Sequence, residues 1–374
     1  MATNLSVRDR SGGIDRRRFL AGATAAAVGL SLVGPGAALA EEAAPVAARP
    51  VPRRRILGRT GLKVSEISFG GIQIQNDRLL NLAIDRGINL VHTAPGYGNG
   101  RSIALFGKVM ATRRKEVVLA LKQSPIGGID EQLRILNTDH VDILVPPLQS
   151  LDEMNNPELP EAYEKLKEAG KIRFSGYACH SNVAEVMNRS IELGFFDVLL
   201  VAYNLANREE LNPILARAKK EGNPGFMAMK AAKDLEGGEA HSAAFTTLLE
   251  NPQVDTLLVG MATFAEVERN AATAGKRMGW LDRMRLHPYS ELGLTACSLC
   301  GACDRCPQGV AVADLLRCGL YHRRGESELA ASTFAALGSA HTLTACDGCG
   351  ACERACPRNR PVLSELRQVH AALV

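Results

Sequence analysis

The sequence predicts an α/β fold, a (β/α)8 barrel of the TIM type followed by a small C-terminal module of a different kind. Three observations predict it. From residue 56 to residue 275, eight short and mostly apolar runs alternate with amphipathic stretches. Glycines directly follow several of those stretches, where helices stop. Eight of the ten cysteines then gather in two tight runs near the end of the 374-residue chain.

The first 40 residues are expected to lie outside the fold. Arg16-Arg17-Arg18-Phe19-Leu20 leads into an Ala/Gly-rich apolar stretch that ends at Ala38-Leu39-Ala40, a small-x-small cleavage site. The paired arginines followed by Phe-Leu resemble the twin-arginine export signal. The expectation is a periplasmic or otherwise exported protein with no membrane span once the signal is removed. Residues 41–55 are rich in Pro and Ala, end in Arg53-Arg54-Arg55, and read as a linker.

The barrel follows. A hairpin-like start over 56–64 precedes strands expected at 66–71, 88–94, 117–122, 142–146, 173–179, 197–203, 226–231 and 256–261. Their apolar character fits strands buried on both faces. Helices are expected at 77–86, 159–169, 183–193 and 211–221, with Gly87, Gly170, Gly194 and Gly222 in the capping position. A doubly wound sheet is the rival fold, but nothing in it favours stopping at eight units. In such a barrel the chemistry sits at the C-terminal strand ends. That selects Thr93 to Tyr97, Lys122, Pro146-Pro147, Ala178 to His180, Tyr203-Asn204, Lys230 and Gly260 to Thr263.

The cysteine runs are Cys297-x2-Cys300-x2-Cys303-x2-Cys306-Pro307 and Cys346-x2-Cys349-x2-Cys352-x3-Cys356-Pro357. The second has the ligand spacing of a bacterial-type 4Fe-4S ferredoxin, and the first differs by one residue. In that pattern the fourth cysteine of each run serves the other cluster. The expected sets are Cys297, Cys300, Cys303 and Cys356 for one cubane, and Cys346, Cys349, Cys352 and Cys306 for the second. Gly301-Ala302 and Gly350-Ala351 precede the third cysteines, and a helical insert is expected over 313–337. The short gap before Cys306 keeps a single cluster or a zinc site as alternatives, and an exported chain keeps disulfides as another.

The formal charge of +4 falls to about +1 once residues 1–40 are set aside. With no basic run beyond Arg53 to Arg55 and no aromatic stacking platform, no nucleic-acid partner is expected.

From Ile56 to Thr273 the chain resembles the aldo-keto reductase family. The residues that carry the likeness are Leu57-Gly58-Arg59-Thr60-Gly61-Leu62-Lys63-Val64-Ser65, Ala83 to Asn89, His92-Thr93-Ala94, Tyr97-Gly98 and Gly100-Arg101-Ser102. Leu136 to Asp142 and Gly170-Lys171-Ile172-Arg173 add to it. The tail from Gly293 resembles the ferredoxin-type extension of some members. The resemblance implies an active site of Asp, Tyr, Lys and His. Tyr97 and Lys122 fall at the Tyr and Lys positions, His92 stands at the Asp position, and Pro147 stands at the His position. The resemblance also implies NADP(H) contacts at Asn204, Gly260, Thr263 and Asn270. Ala178-Cys179 and Leu200 depart from the polar residues the family uses beside nicotinamide.

The leading expectation is an exported iron–sulfur oxidoreductase. It acts on a small carbonyl- or alcohol-type substrate and passes electrons through two 4Fe-4S clusters to or from an external redox carrier. Tyr97 is the expected proton donor or acceptor, tuned by Lys122 and His92. Clusters exchange single electrons whereas NADPH gives hydride, and no flavin motif links the two. The alternatives are a non-catalytic barrel serving electron transfer or binding, and an NADPH carbonyl reductase with a structural cluster tail. His180 and Lys230 read either as site residues or as solvent-facing strand ends, and Cys179 and Cys318 as buried free thiols.

Overall fold

A computed structural model describes residues 52–374. The expected export signal and most of the linker lie outside the described residues. Strands β3 (Ile67–Gly70), β4 (Leu90–Thr93), β5 (Val118–Leu121), β6 (Val141–Leu144), β7 (Ile172–Cys179), β8 (Val198–Ala202), β9 (Gly225–Met229) and β10 (Thr256–Gly260) run parallel. They close into a barrel in chain order, β10 pairing with β3. All eight expected strands are present, with ends that differ from the expected ones by no more than two residues.

Two apolar cores explain why these runs are strands. Side chains alternate across a strand. Leu90, Val118, Ala120, Ile143, Ala178, Leu200, Met227 and Leu258 fill the barrel interior. Val91, Leu119, Leu121, Leu144, Leu199 and Val201 face the helix layer instead. The inward parity of Leu90 carries His92 inward. Val118 and Ala120 do the same for Lys122, and Ala178 does it for His180. The sequence period thus aims these three polar side chains at the C-terminal mouth.

The N-terminal end is stoppered by an antiparallel hairpin, β1 (Arg54–Ile56) with β2 (Lys63–Ser65). Leu57 and Val64 join the interior core from this hairpin. The reading of Arg53 to Arg55 as linker is corrected here. Arg54 and Arg55 lie in β1, and Arg55 donates to Glu66 Oε1 at 2.6 Å and to the carbonyls of Asn251 and Val254 at 3.0 and 2.7 Å. A guanidinium can satisfy several acceptors at once, so it ties the hairpin to the barrel base.

Helices cover the outside, including Asp77–Asp85, Glu158–Glu168, Val183–Leu193 and Arg208–Glu221. Gly87, Gly170 and Gly194 take left-handed backbone at their ends, as a C-terminal cap requires. Gly222 does not: its φ is −140°, and Asn223 takes the left-handed position at φ 46°. Asn is the residue that best tolerates that conformation after Gly.

Beyond β10 the chain is helical, and among the described residues no strand follows. The expected insert is two helices, Val312–Arg323 and Ser327–Leu337, with Gly325 at φ 71° between them. The last helix, Val362–Leu373, packs with Val312–Arg323 through Val312, Leu315, Val362 and Leu366. This module and the barrel belong to one compact unit. Among the described residues no helix is long and apolar enough to cross a membrane.

Candidate active site at the barrel mouth

The strand ends bring His92, Tyr97, Lys122, His180 and Lys230 together. His92 is buried on β4, and its ring lies 5.9 Å from that of Tyr97, edge on. Burial, then Lys122, holds its pKa down at about 3, so it is a neutral imidazole, and its Nε2 has no hydrogen-bond partner. Tyr97 follows β4 in a turn pinned by Ser102, whose hydroxyl bonds Thr93 and the Gly71 carbonyl at 2.8 Å each. Burial pushes the Tyr97 hydroxyl well up, Tyr321 adds to this and Arg317 opposes it. The phenol therefore keeps its proton at neutral pH.

Lys122 ends β5 with Nζ 5.9 Å from the Tyr97 ring centroid and 3.5 Å from His180 Nε2. Burial first, then Arg317 and Lys230, lowers its pKa from 10.5 to about 7 against the opposing effect of Asp314. Near neutral pH this amine is therefore close to half protonated, the condition for proton exchange. No carboxylate pairs with it among the described residues, because His92 stands where the reductase pattern has an acid.

His180 does not face solvent. It sits beside Lys122, with its backbone N–H and that of Ser181 donating to Gln149 Oε1 at 2.7 and 3.1 Å. Burial, then Lys122, Arg317 and Lys230, keeps it neutral, and its Nδ1 is unpartnered. Lys230 is likewise part of the site. It holds left-handed backbone at φ 58°, and its Nζ donates to Tyr321 Oη at 3.1 Å while standing 4.2 Å from that ring's centre. A non-glycine residue in this region is uncommon and gathers at functional sites.

The family profile of the aldo/keto reductases matches residues 67–234. With the closed eight-strand barrel around it, that match makes the fold aldo/keto reductase-like. The chain is 27% identical over 277 residues to the L-galactose dehydrogenase of Arabidopsis thaliana, covering 58% of this chain and 86% of that protein. An aldo-keto reductase structure from Pseudomonas aeruginosa superposes with a TM-score of 0.52 at 28% identity, over 59% of this chain and 94% of that one. One from Klebsiella pneumoniae, solved in complex with NADPH, superposes at 0.52 with 21% identity, over 64% and 96% of the two chains, and speaks for the fold alone.

The module covers this domain's mouth, and Arg317, Tyr321 and Asp314 come from its Val312–Arg323 helix. They were not singled out in the sequence. The signal available was their spacing, 314, 317 and 321, on one face of a helix. The following segment runs from the end of β9, where Arg324 donates to the Ala232 carbonyl, to the end of β3, where Glu326 accepts from Gln73 at 2.7 Å. Arg101 and Glu328 pair beyond it at 2.8 Å. Since β10 lies between β9 and β3, this segment crosses the end of β10.

That crossing decides how the expected NADP(H) residues stand. Gly260 ends β10, with Gln73 lying where a Cβ would project. Thr263 is exposed but caps the Phe264–Ala271 helix, its hydroxyl accepting from Glu266 N at 3.2 Å. Asn270 is buried in that helix. Asn204 is buried in a turn, its Oδ1 accepting from Ala206 N at 2.9 Å and its Nδ2 unpartnered. Ala178 and Leu200 add apolar surface to the interior. A dinucleotide spanning from Gly260 and Asn270 to the mouth would have to displace residues 321–328. In this fold the residues do not fit NADP(H).

The cysteine loops show a repeat. Leu299 and Gly301 are left-handed at φ 63° and 74°, and Gly348 and Gly350 at 76° and 69° in the same places of the second run. A short helical turn follows each, and a long helix starts six residues after each fourth cysteine, at Val312 and Val362. Cys297, Cys300, Cys303 and Cys356, three from one run and one from the other, line a single cavity that His180 and Lys230 also line. Cys306, Cys346 and Cys352 pack on the module's core, Cys349 is exposed, and Gly348 N–H points at Cys346 Sγ from 3.4 Å. No three Cys, His, Asp or Glu side chains among the described residues meet as ligands of one metal ion do. A cubane is wider than an ion, and its thiolates surround a cavity rather than a point. The first set lines one cavity together, as the thiolates of such a group must, and its donors fit it.

Cys179 and Cys318 are fully buried free thiols. Burial pushes the Cys318 thiol up to about 11, and Cys179 donates to the Ser181 carbonyl at 2.9 Å.

Proposed function

We propose that the protein is an exported iron–sulfur oxidoreductase whose aldo/keto reductase barrel holds a small carbonyl- or alcohol-type substrate at its mouth. The observation that carries this reading is the shared cavity: Cys297, Cys300, Cys303 and Cys356 line the same space as His180 and Lys230. Thiolates of the first set would hold one 4Fe-4S cluster, and Cys306, Cys346, Cys349 and Cys352 a second. Such clusters supply one-electron storage and relay, so two of them match the two electrons released when CH–OH becomes C=O. The two protons go to the protein and solvent, and the electrons to an external one-electron carrier.

The chain's own residues handle substrate and proton. Tyr97, kept protonated by burial, offers its proton to a carbonyl oxygen as negative charge develops there. Lys122 sits over the Tyr97 ring with a pKa near 7 and can take up or restore that proton. The neutral His92 and His180 rings line the polar wall without adding charge. Residues 321–328 close the dinucleotide route, so the site takes its electrons from the module's side. The export reading rests on Arg16-Arg17 and the Ala38-Leu39-Ala40 site. Export of an already folded chain would let clusters be loaded before the protein leaves the cytoplasm.

The test is anaerobic turnover of a panel of small alcohols and carbonyl compounds with a one-electron dye as carrier. Tyr97→Phe is expected to abolish turnover while leaving the cluster absorbance intact. Turnover unchanged in Tyr97→Phe would contradict the catalytic reading.

A further inference from the structure

We infer that the cavity between the barrel mouth and the Val312–Arg323 helix is an anion site, taking the carboxylate of a small carboxylic-acid substrate, with Lys230, Arg317 and Tyr321 as the groups that hold it. The inference rests on the small-molecule reading above and names the substrate's class.

The first support is charge balance. Among the cations of this cavity, Lys233 pairs with Asp234, and Arg360 pairs with Glu365 at 2.8 Å. Lys230 pairs with no carboxylate among the described residues; its polar contact is the neutral Tyr321 hydroxyl at 3.1 Å. Lys122 behind it has only His180, at 3.5 Å. Arg317 has one carboxylate, Asp314 at 2.7 Å, which occupies one edge of a guanidinium that carries five N–H donors. Glu326, the other acid near Lys230, accepts from Gln73 and lies beyond ion-pair distance of the Lys230 ammonium. Desolvated cations placed side by side repel one another unless an anion joins them.

The second support is the direction of hydrogen bonds. An ammonium group only donates, so Tyr321 accepts from Lys230 and keeps its own O–H proton to give away. His180 lines the same cavity, and its Nδ1 is buried and unpartnered. Arg317 lines the same cavity as His180 and Lys230. The third support is the backbone: Lys230 at φ 58° holds a left-handed conformation that is uncommon for a residue with a Cβ and gathers at functional sites.

The experiment is calorimetric titration of the full, cluster-loaded protein with pyruvate, with acetone as its uncharged counterpart and sulfate as a generic anion. Pyruvate is expected to bind once per chain, and acetone and sulfate at least about tenfold more weakly, since hydrogen bonds to charged groups carry the affinity. Lys230→Met and Arg317→Met should each weaken pyruvate by about tenfold or more, with iron content and melting temperature unchanged, and Lys230→Arg should restore most of the affinity. Pyruvate binding no better than acetone or sulfate, or keeping its affinity in Lys230→Met, would overturn the anion site. Turnover of neutral alcohols without carboxylate binding leaves the oxidoreductase reading standing and removes this one. Carboxylate binding without any electron delivery does the reverse.

Discussion

Lys122 carries the chemistry of the mouth through its surroundings: His92, His180, Arg317, Lys230 and Asp314 face it, and only the last is an acid. Folding moves its pKa from 10.5 to about 7, so the unfolded chain binds the extra proton between those values. Stability then rises with pH through that window, and the cost of the buried cation is full below pH 7. Lys122→Met is therefore expected to raise the melting temperature at pH 6, to raise it less at pH 9, and to remove turnover at both. A loss of stability at pH 6 would show that the amine is not a strained charge. Tyr97, Lys122 and His92 were legible in the sequence because strand parity and the family pattern both mark them. His180 and Lys230 were left open, since a strand end gives no direction without its neighbours. Arg317 and Tyr321 were missed: their spacing marks one face of a helix, but that helix lies nearly 200 residues after Lys122, and spacing alone does not say where the face docks.

At the scale of elements, the eight strands were readable because burial on both faces makes each a short apolar run. The hairpin plug was readable up to its first strand, where three arginines look like a linker until Arg55 finds the carbonyls of Asn251 and Val254. The two cysteine loops repeat one backbone, with left-handed residues two and four positions after each first cysteine. Gly301 meets two demands there. Its φ is 74°, and a Cβ would run into the Asn182 side chain, itself held by the Gln149 carbonyl at 2.8 Å. Gly301→Ala should thus destabilise the first loop by about 1–2 kcal/mol or more and lower the iron retained per chain. Gly293→Ala, with nothing within 4 Å of its Cβ, is the control expected to leave both unchanged.

For the whole molecule, the module is a cover as well as a carrier of cysteines. Residues 321–328 span from the end of β9 to the end of β3, while Asn207 Nδ2 donates to Ser298 O at 3.3 Å and Arg358 to Ala206 O at 3.3 Å on the β8 side. The sequence showed a half-altered reductase site and a cysteine tail as separate facts; only the docked structure puts His180 and Lys230, beside that site, around one cavity with four of the cysteines. Titration with NADPH followed by fluorescence is expected to show no stoichiometric binding, and tight binding would mean that the 321–328 segment moves aside. The central claim is that two clusters sit in this module with one at the mouth. Iron and acid-labile sulfide analysis of anaerobically purified protein tests it most directly: the account predicts about eight of each per chain, whereas about four would contradict the two-cluster assignment and zinc without sulfide would contradict the claim altogether.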